Sequence, residues 1–170
     1  ETNFNGSDTV TVTVNDEGNT GAGGPLSDSK SVEITVTAVN DAPAVTVPED
    51  QTMPEDTVLL LAGVSVSDDD VGGELVEVSL TATHGTLTLG STVGLTVIAG
   101  ANASASLVAE GTLEDLKLAL ATLSYLGETN FNGSDTVTVT VNDEGNTGTG
   151  GPLSDSRSFG ITVTAVNDAP

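Results

Sequence analysis

Strict alternation of apolar and polar residues is the clearest pattern in this chain. Val10, Val12 and Val14 alternate with threonines. A second alternating run extends from Val32 to Ala38, after a long loop of Gly, Asn, Asp, Pro and Ser. Because side chains alternate across a strand, each run predicts a half-buried strand of an antiparallel sheet. A lone hairpin is marginally stable in water, so these two strands need a further apolar surface.

Similar short runs predict strands along the rest of the chain. They are an extended start around Val45 and Val47, then Thr57 to Ser67, Leu75 to Thr83, Thr86 to Leu89, Gly94 to Ile98, Ala103 to Ala109, Thr136 to Val141 and Phe159 to Val166, with Pro48 and Pro54 as breaks. One segment, Thr112 to Tyr125, has helical leucine spacing, with Thr112 as N-cap and Asp115 at the third helical position. Many short strands with one helix predict an all-β, two-sheet antiparallel sandwich with a short helix before the last strands.

The first 43 residues return almost unchanged at the end of the sequence. Residues 1–43 and 128–170 differ only at the pairs Ala22/Thr149, Lys30/Arg157, Val32/Phe159 and Glu33/Gly160. Such self-similarity is typical of tandem arrays. We therefore expect residues 1–43 to be the C-terminal part of a preceding repeat, with two strands and a linker, and residues 44–170 to be one complete repeat. The fragment is expected to be poorly packed, to dock on the full repeat, or to pair with a neighbouring molecule.

Charge and cysteine content narrow the classes of function. The chain has 25 acidic and three basic residues, for a net charge of −22, which makes nucleic acid and anionic membrane surfaces poor partners. It has no cysteine, which excludes disulfides, thiolate metal sites and thiol nucleophiles. The only histidine, His84, is accompanied by no catalytic motif. We therefore predict a non-enzymatic protein.

The acidic residues gather where predicted strands begin or end. The four clusters are Glu55–Asp56, Asp68–Asp70, Asn142–Glu144 and Asn167–Asp168. Strand ends of a sandwich meet at its two poles, so these oxygens are expected to lie close together. Because carboxylate and amide oxygens are the ligands of Ca²⁺, the clusters favour calcium binding at the poles. The alternative is a plainly solvated acidic surface suited to high salt.

Two longer stretches resemble a known family. Residues 54–74, PEDTVLLLAGVSVSDDDVGGE, resemble the cadherin stretch in which Glu opens a strand and Asp-x-Asp closes it. Residues 135–170 resemble the cadherin ending, with its A-x-D loop and its Asp/Asn linker before Pro. Together with NFNGSD and the ending VTAVNDAP, the chain is most similar to the cadherin-like repeats of large bacterial RTX-type surface adhesins. The resemblance implies a cadherin/immunoglobulin-like sandwich over residues 44–170.

The resemblance also implies a set of Ca²⁺ ligands at two poles. The upper pole would contain Asn40, Asp41, Asp68, Asp70 and Asp143, and the lower pole would contain Glu55, Asn167 and Asp168. Two linker positions that are Asp and Asn in the family pattern are alanines here, Ala38 and Ala42. The L-D-R-E motif of the family is replaced by the helix, so we expect either an incomplete lower site or a substitute ligand from Glu114 or Asp115.

The function implied by the resemblance is mechanical. The chain would be a non-catalytic, calcium-stabilised extender repeat of a long secreted adhesin at the bacterial cell surface, which stiffens its linkers to project a distal binding region in biofilms. Its partners would be neighbouring repeats of the same chain, with no nucleic acid and no membrane insertion. Two alternatives stay open: an adhesive module that recognises a glycan or self-associates weakly through its pole loops, and a structural repeat whose acids serve salt tolerance.

Overall fold

The computed structural model describes residues 3–19 and 21–168. The chain forms two compact units, Glu1–Val39 and Asn40–Pro170. The predicted boundary followed Pro43, so the predicted linker, residues 40–43, is assigned to the second unit. Within that unit Asn40 is 6 % exposed and Pro43 is buried, directly ahead of the strand that begins at Ala44.

The first unit is an antiparallel hairpin of strands β1 (Gly6–Asn15) and β2 (Ser27–Val36). Its polar face has a ladder of hydroxyl pairs, such as Thr11 Oγ1 to Ser31 Oγ at 2.9 Å. Its other face carries the predicted row of valines, and every residue of both strands is exposed. The alternating pattern therefore forms the two strands, but no second layer covers them within the described part of this unit.

The second unit contains eleven strands and one helix in its described residues. In chain order these are β3 (Ala44–Thr46), β4 (Gln51–Pro54), β5 (Val58–Leu60), β6 (Ser65–Ser67), β7 (Leu75–Ala82), β8 (Gly85–Leu89), β9 (Thr96–Gly100), β10 (Ser106–Thr112), α1 (Leu113–Leu120), β11 (Leu123–Gly127), β12 (Gly133–Asn142) and β13 (Ser154–Thr164). The sheet orders are β4-β13-β12-β7-β10-β9, β5-β11-β8 and β3-β6. The all-β sandwich with a short helix before the last strands is confirmed.

One apolar core fills the space between these sheets. Alternate residues of the long strands point inward, as a period of two requires. The inward rows are Val76, Val78 and Leu80 on β7, Leu107 and Ala109 on β10, Val137, Val139 and Val141 on β12, and Phe159, Ile161 and Val163 on β13. From the other side Leu87, Leu89, Leu123 and Tyr125 close the core, together with Leu116 and Leu120 of α1. Among the described residues, no helix is long and apolar enough to cross a membrane.

The helix begins where it was predicted but ends earlier. Thr112 Oγ1 accepts the Asp115 backbone N–H at 3.2 Å, so the predicted N-cap is confirmed. The helix stops at Leu120, and the residues from Leu123 onward form β11, which pairs with β5 and β8. Leucines three apart suit a helix, but burial of Leu123 and Tyr125 on either side of Ser124 follows the period of a strand.

The predicted single strand over residues 57–67 is two strands. A turn at Gly63, with φ of +96°, separates β5 from β6, and each joins a different sheet. The strand β4 was not predicted. It pairs in parallel with β13 at the edge of the large sheet and ends at Pro54, and an edge is where a sheet tolerates proline.

Candidate cation site

The acidic turn after β6 is shaped by its first aspartate. Asp68 Oδ1 accepts the backbone N–H of Asp70 at 3.1 Å and of Val71 at 3.3 Å. Val71 is 1 % exposed, so its burial fixes the turn to the core. The turn thereby holds the carboxylates of Asp68 and Asp70 next to each other.

The loop between β12 and β13 is organised around Asp143, which is 1 % exposed. Its Oδ1 accepts two backbone N–H groups, from Gly145 and from Leu153, both at 2.8 Å. Its own N–H donates to the Leu153 carbonyl at 3.2 Å. These three bonds close the loop at its base and leave Oδ2 facing the start of the second unit.

Asn40 joins this loop to the acidic turn. Its Nδ2 donates to Asp143 Oδ2 at 2.7 Å and to the Gly151 carbonyl at 3.0 Å. Its Oδ1 accepts the Thr147 hydroxyl at 3.2 Å. The Thr147 side chain also hydrogen-bonds the Asp70 carboxylate, which completes the bridge.

Asp41 connects to the same turn through its backbone, because its N–H donates to Asp70 Oδ2 at 3.0 Å. All five residues predicted for the upper pole therefore lie in one hydrogen-bonded network of the second unit. Thr147 was not predicted, and its place in a Gly-rich loop gave no signal for it.

Two carboxylate oxygens in this network lack hydrogen-bond partners. Asp68 Oδ2 and Asp70 Oδ1 are buried and unpaired. Burial, with Asp70 close by, raises the pKa of Asp68 above its ordinary value. Burial would also raise the pKa of Asp70, but the Asp41 N–H and other donors outweigh it and lower that pKa. Repulsion from Asp70 adds to burial in raising the pKa of Asp68, as expected for adjacent carboxyl groups.

The available oxygen ligands are of the types that bind Ca²⁺, but there are too few carboxylates to form the site by themselves. Among the residues that the structure describes, no three His, Cys, Asp or Glu side chains form a metal-binding group. A cation at this pole would use Asp68 and Asp70 together with neutral oxygens, of which Asn40 Oδ1 is one. Mixed carboxylate, amide and carbonyl coordination is ordinary for Ca²⁺. The buried, unpaired oxygens are the feature that a cation would satisfy.

At the lower pole, Glu55 is 5 % exposed and held by the end of β13. Its Oε1 accepts the Val166 N–H at 2.6 Å, and its backbone N–H donates to the Thr164 carbonyl at 2.9 Å. Its Oε2 is buried without a partner, like the two unpaired oxygens of the upper pole.

The other two lower-pole residues make different contacts. Asn130, with its amide oriented to satisfy both groups, donates to Asp168 Oδ2 at 3.2 Å and to Asp56 Oδ2 at 3.3 Å. Asn167 donates to the Asp168 carbonyl at 3.3 Å. In the described hydrogen bonds Asp168 is thus linked through the Asn130 amide to Asp56, and not to Glu55.

The proposed substitutes for the missing lower-pole motif lie at the opposite end. Glu114 and Asp115 are in the first turn of α1. The N-cap of this helix, Thr112, is paired with Leu75 at the start of β7. That is the end of the large sheet nearest Asp143. Asp115 accepts the hydroxyl of the N-cap Thr112 at 2.7 Å, so its carboxylate is engaged at the start of the helix. The idea that either residue completes the Glu55 site is therefore wrong.

A third buried carboxylate, Asp135, which sequence reasoning missed, has hydrogen-bond donors to both of its oxygens. Asp135 is 2 % exposed and accepts the Tyr125 hydroxyl at 2.6 Å and the N–H groups of Thr83 at 2.9 Å and His84 at 3.0 Å. Burial alone would raise its pKa, but these donors outweigh burial and lower it. Burial, together with Asp135, raises the pKa of Tyr125. The NFNGSD motif that ends in Asp135 was the available signal, and the site is structural.

Comparison with known proteins supports a different family from the predicted one. Residues 62–149, just over half of the chain, match the model of a family described as Protein GAMETE EXPRESSED 2 domain. No curated protein sequence matches the chain significantly. The matched segment contains Asp68, Asp70 and Asp143 but not the other predicted ligands. Assignment to the bacterial RTX-type adhesins is wrong, and so are the predicted functions that rested on it, as adhesin extender or adhesive module, and the link to biofilms.

Proposed function

Since the chain belongs to the family of the Protein GAMETE EXPRESSED 2 domain, we propose that it is a non-catalytic β-sandwich module that binds Ca²⁺ at its upper pole. The ligands would come from the network of Asn40, Asp41, Asp68, Asp70 and Asp143. The observation that carries the proposal is the pair of buried oxygens without hydrogen-bond partners, Asp68 Oδ2 and Asp70 Oδ1.

The energetics of these two atoms favour a cation. A buried polar atom without a partner costs about 1–3 kcal/mol, and more when it is charged. Two adjacent carboxylates add mutual repulsion, and burial together with the neighbouring Asp70 raises the pKa of Asp68. Bound Ca²⁺ supplies positive charge and coordination to both oxygens. Without a cation, the hydrogen bonds of Asp68 shape the turn, and those of Asp143 close the β12–β13 loop and join it to Asn40.

Such a site would fix the start of the module to its body. Asn40 and Asp41 precede β3, and their bonds to Asp143 and Asp70 fasten this entry segment to the pole. Neighbouring modules of the same chain remain the expected partners, because the entry segment is where one module would follow another. Extracellular calcium modules bind at about 10⁻⁴–10⁻³ M, so we also propose an extracellular location.

Calorimetric titration and thermal melting of the full chain test the proposal. We expect heat of binding with Ca²⁺, and a higher melting temperature in about 10 mM Ca²⁺ than in EDTA. Asp70→Asn should abolish both effects, whereas Asp69→Asn, a change at the exposed neighbour, should leave them intact. If the melting temperature rises equally with Ca²⁺ and with NaCl of matched ionic strength, the acids serve salt tolerance and no site exists.

Substitution of Asp68 should change the melting temperature in opposite ways without and with Ca²⁺. Because its pKa is raised in the folded state, its ionised form disfavours folding at neutral pH. Asp68→Asn should therefore raise the melting temperature in EDTA and remove the further rise with Ca²⁺. A variant that is less stable in EDTA would contradict the repulsion on which the site is argued.

Glu55 Oε2 supports a second cation at the lower pole. Glu55→Gln would then lower the calorimetric stoichiometry by one ion and leave the upper site filled. Equal stoichiometry in the wild type and in Glu55→Gln would restrict calcium to the upper pole.

A further inference from the structure

The two hairpins β1–β2 and β12–β13 place the same side chains in opposite environments. Val139 in β12 is fully buried, and its counterpart Val12 in β1 is 67 % exposed. Ile161 in β13 is 1 % exposed, and its counterpart Ile34 in β2 is 45 % exposed. The first hairpin therefore presents an apolar face whose covered form is visible in the same protein.

The surface that covers β12–β13 comes from residues 44–127, and we call it the acceptor surface. Strand β7 pairs with β12 from Val137↔Ala82 to Asn142↔Glu77, and β4 pairs with β13. The side chains of Leu80, Leu87 and Tyr125 lie in the core against which the hairpin packs. The acceptor surface thus offers both strand edges and an apolar layer.

We propose that, when β12–β13 is displaced from the acceptor surface of one molecule, the β1–β2 hairpin of a second copy of this chain takes its place in the same register. The strand register within the two hairpins is the same: Gly6↔Val36 in the first corresponds to Gly133↔Val163 in the second. The polar hydroxyl ladder is also shared, since Thr138 and Ser158 are 2.8 Å apart. A hairpin with the same register and the same inward residues fits the same surface.

Two of the four sequence differences make this fit poorer than the native one. Phe159 is 4 % exposed in the core, and the first hairpin has the smaller Val32 at that position. Gly160 donates its N–H to Asp50 Oδ1 at 2.7 Å, and a Cβ there would lie 3.2 Å from the same oxygen. The first hairpin has Glu33 at that position, which would bring a second carboxylate beside Asp50.

These differences make docking conditional. In a folded copy the acceptor surface is held by β12–β13, which fits it better. The first hairpin takes it only when β12–β13 is displaced. Val32 and Glu33 thus disfavour exchange of hairpins between folded copies without preventing docking on a vacated surface.

The test uses Val139→Asp in the full chain, which places a carboxylate at a fully buried position of β12. We expect this variant to form oligomers in which Val12 of one molecule fills the site of Val139 in another, as measured by light scattering and circular dichroism. Val12→Asp alone should match the wild type. The double variant Val12→Asp/Val139→Asp should lose both the oligomers and the β signal.

Disulfide trapping gives a direct readout, because the chain has no cysteine of its own. In β12, Thr138 pairs with Thr81, so the docked hairpin would place Thr11 opposite Thr81 of the other molecule. Thr11→Cys/Thr81→Cys in the Val139→Asp background should therefore cross-link between molecules. Absence of this cross-link overturns the proposal, whether the variant is folded or unfolded.

A separate experiment tests whether Val32 and Glu33 weaken docking on the acceptor surface. Val32→Phe/Glu33→Gly in the Val139→Asp background should lower the dissociation concentration of the oligomer at least about tenfold. The same double change in the wild-type chain should alter neither its mass nor its melting temperature, because Val32 is 65 % exposed there. An unchanged dissociation concentration would show that Val32 and Glu33 do not weaken docking.

Discussion

Comparison of the β1–β2 and β12–β13 hairpins shows which features the local sequence determines and which depend on packing against the rest of the fold. Both have the same strand register, and both have the same loop anchor. Asp16 Oδ1 accepts the N–H groups of Gly18 at 2.9 Å and Leu26 at 2.8 Å, just as Asp143 Oδ1 accepts those of Gly145 and Leu153. The main difference between them is burial. Strand, register and loop are therefore local properties, whereas burial depends on residues 44–127.

This contrast has an energetic meaning. Apolar burial stabilises a fold by about 25 cal/mol per Å² removed from water, and the first hairpin receives little of it in the described structure. Equivalent substitutions in the two hairpins should then have unequal costs. Each such pair of variants shares its local chemistry, so the difference between the two measures the surroundings alone.

The largest difference is expected between Ile161→Ala and Ile34→Ala. Ile161 is 1 % exposed, and truncation of a buried Ile costs about 2–5 kcal/mol. Ile34 is 45 % exposed, so its truncation should change the free energy of unfolding by less than about 0.5 kcal/mol. Urea denaturation of both full-length variants measures this. Equal costs would mean that the first hairpin is covered in solution.

The next pair is Asp135→Asn and Asp8→Asn. Asp135 accepts four hydrogen bonds from the chain around it, and hydrogen bonds to a charged group contribute about 1.5–3 kcal/mol. Because its pKa is lowered in the fold, its contribution is present above pH 3.8 and is lost as the pH falls through the folded pKa. Asp8 is exposed, and its Oδ1 accepts only the neighbouring Thr9 N–H among the described bonds. Acid denaturation curves should shift for Asp135→Asn alone.

A smaller difference is expected for calcium. Asp143→Asn should weaken Ca²⁺ binding about tenfold, which removes about 1.4 kcal/mol of the calcium-dependent stability. Asp16→Asn, in the hairpin whose described residues include no counterpart of Asp68 and Asp70, should leave the calcium titration unchanged. If the two variants lose the same amount, the ligands do not belong to the second unit's pole.

The smallest effect is expected when Gly160 is replaced by the residue of the other copy. Gly160→Glu brings a side chain within 3.2 Å of Asp50 Oδ1, and two carboxylates then lie close together on an exposed edge. We expect a loss of less than about 1 kcal/mol, reduced further by salt. Glu33→Gly in the first hairpin should change the stability by less than Gly160→Glu does, as measured by the same melting assay.

The sequence predicted what depends on local period and chain order. Alternation found most strands, and the pair Thr112 and Asp115 placed the helix start correctly. The helix end was missed because Leu123 suits both periods, and only the pairing with β5 and β8 selects a strand. The edge strand β4 was missed because Pro48 and Pro54 suggested breaks, and only β13 makes this segment a strand.

For the candidate sites, too, the sequence predicted what depends on chain order and missed what depends on tertiary contacts. Clustering of acids at strand ends predicted that acidic groups converge at the poles, and the family resemblance placed Asn40 with Asp68, Asp70 and Asp143; the structure joins these four residues in one hydrogen-bonded network. The sequence could not show that Asn40 donates to Asp143, nor that one oxygen of Asp68 and one of Asp70 are unpaired. The first of these facts depends on a contact between residues 103 positions apart along the chain. The family was misassigned because shared motifs of β-sandwich repeats were read as specific to one family.

The bonds of Asp135 have a kinetic consequence. Thr83 and His84 lie in the turn between β7 and β8, where backbone amides ordinarily exchange with solvent quickly. Both of their N–H groups donate to a carboxylate 51–52 residues further along the chain. Their amide hydrogens can exchange only when β12 separates from this turn. These two protons should therefore exchange as slowly as those of the core strands and report the opening of the whole module.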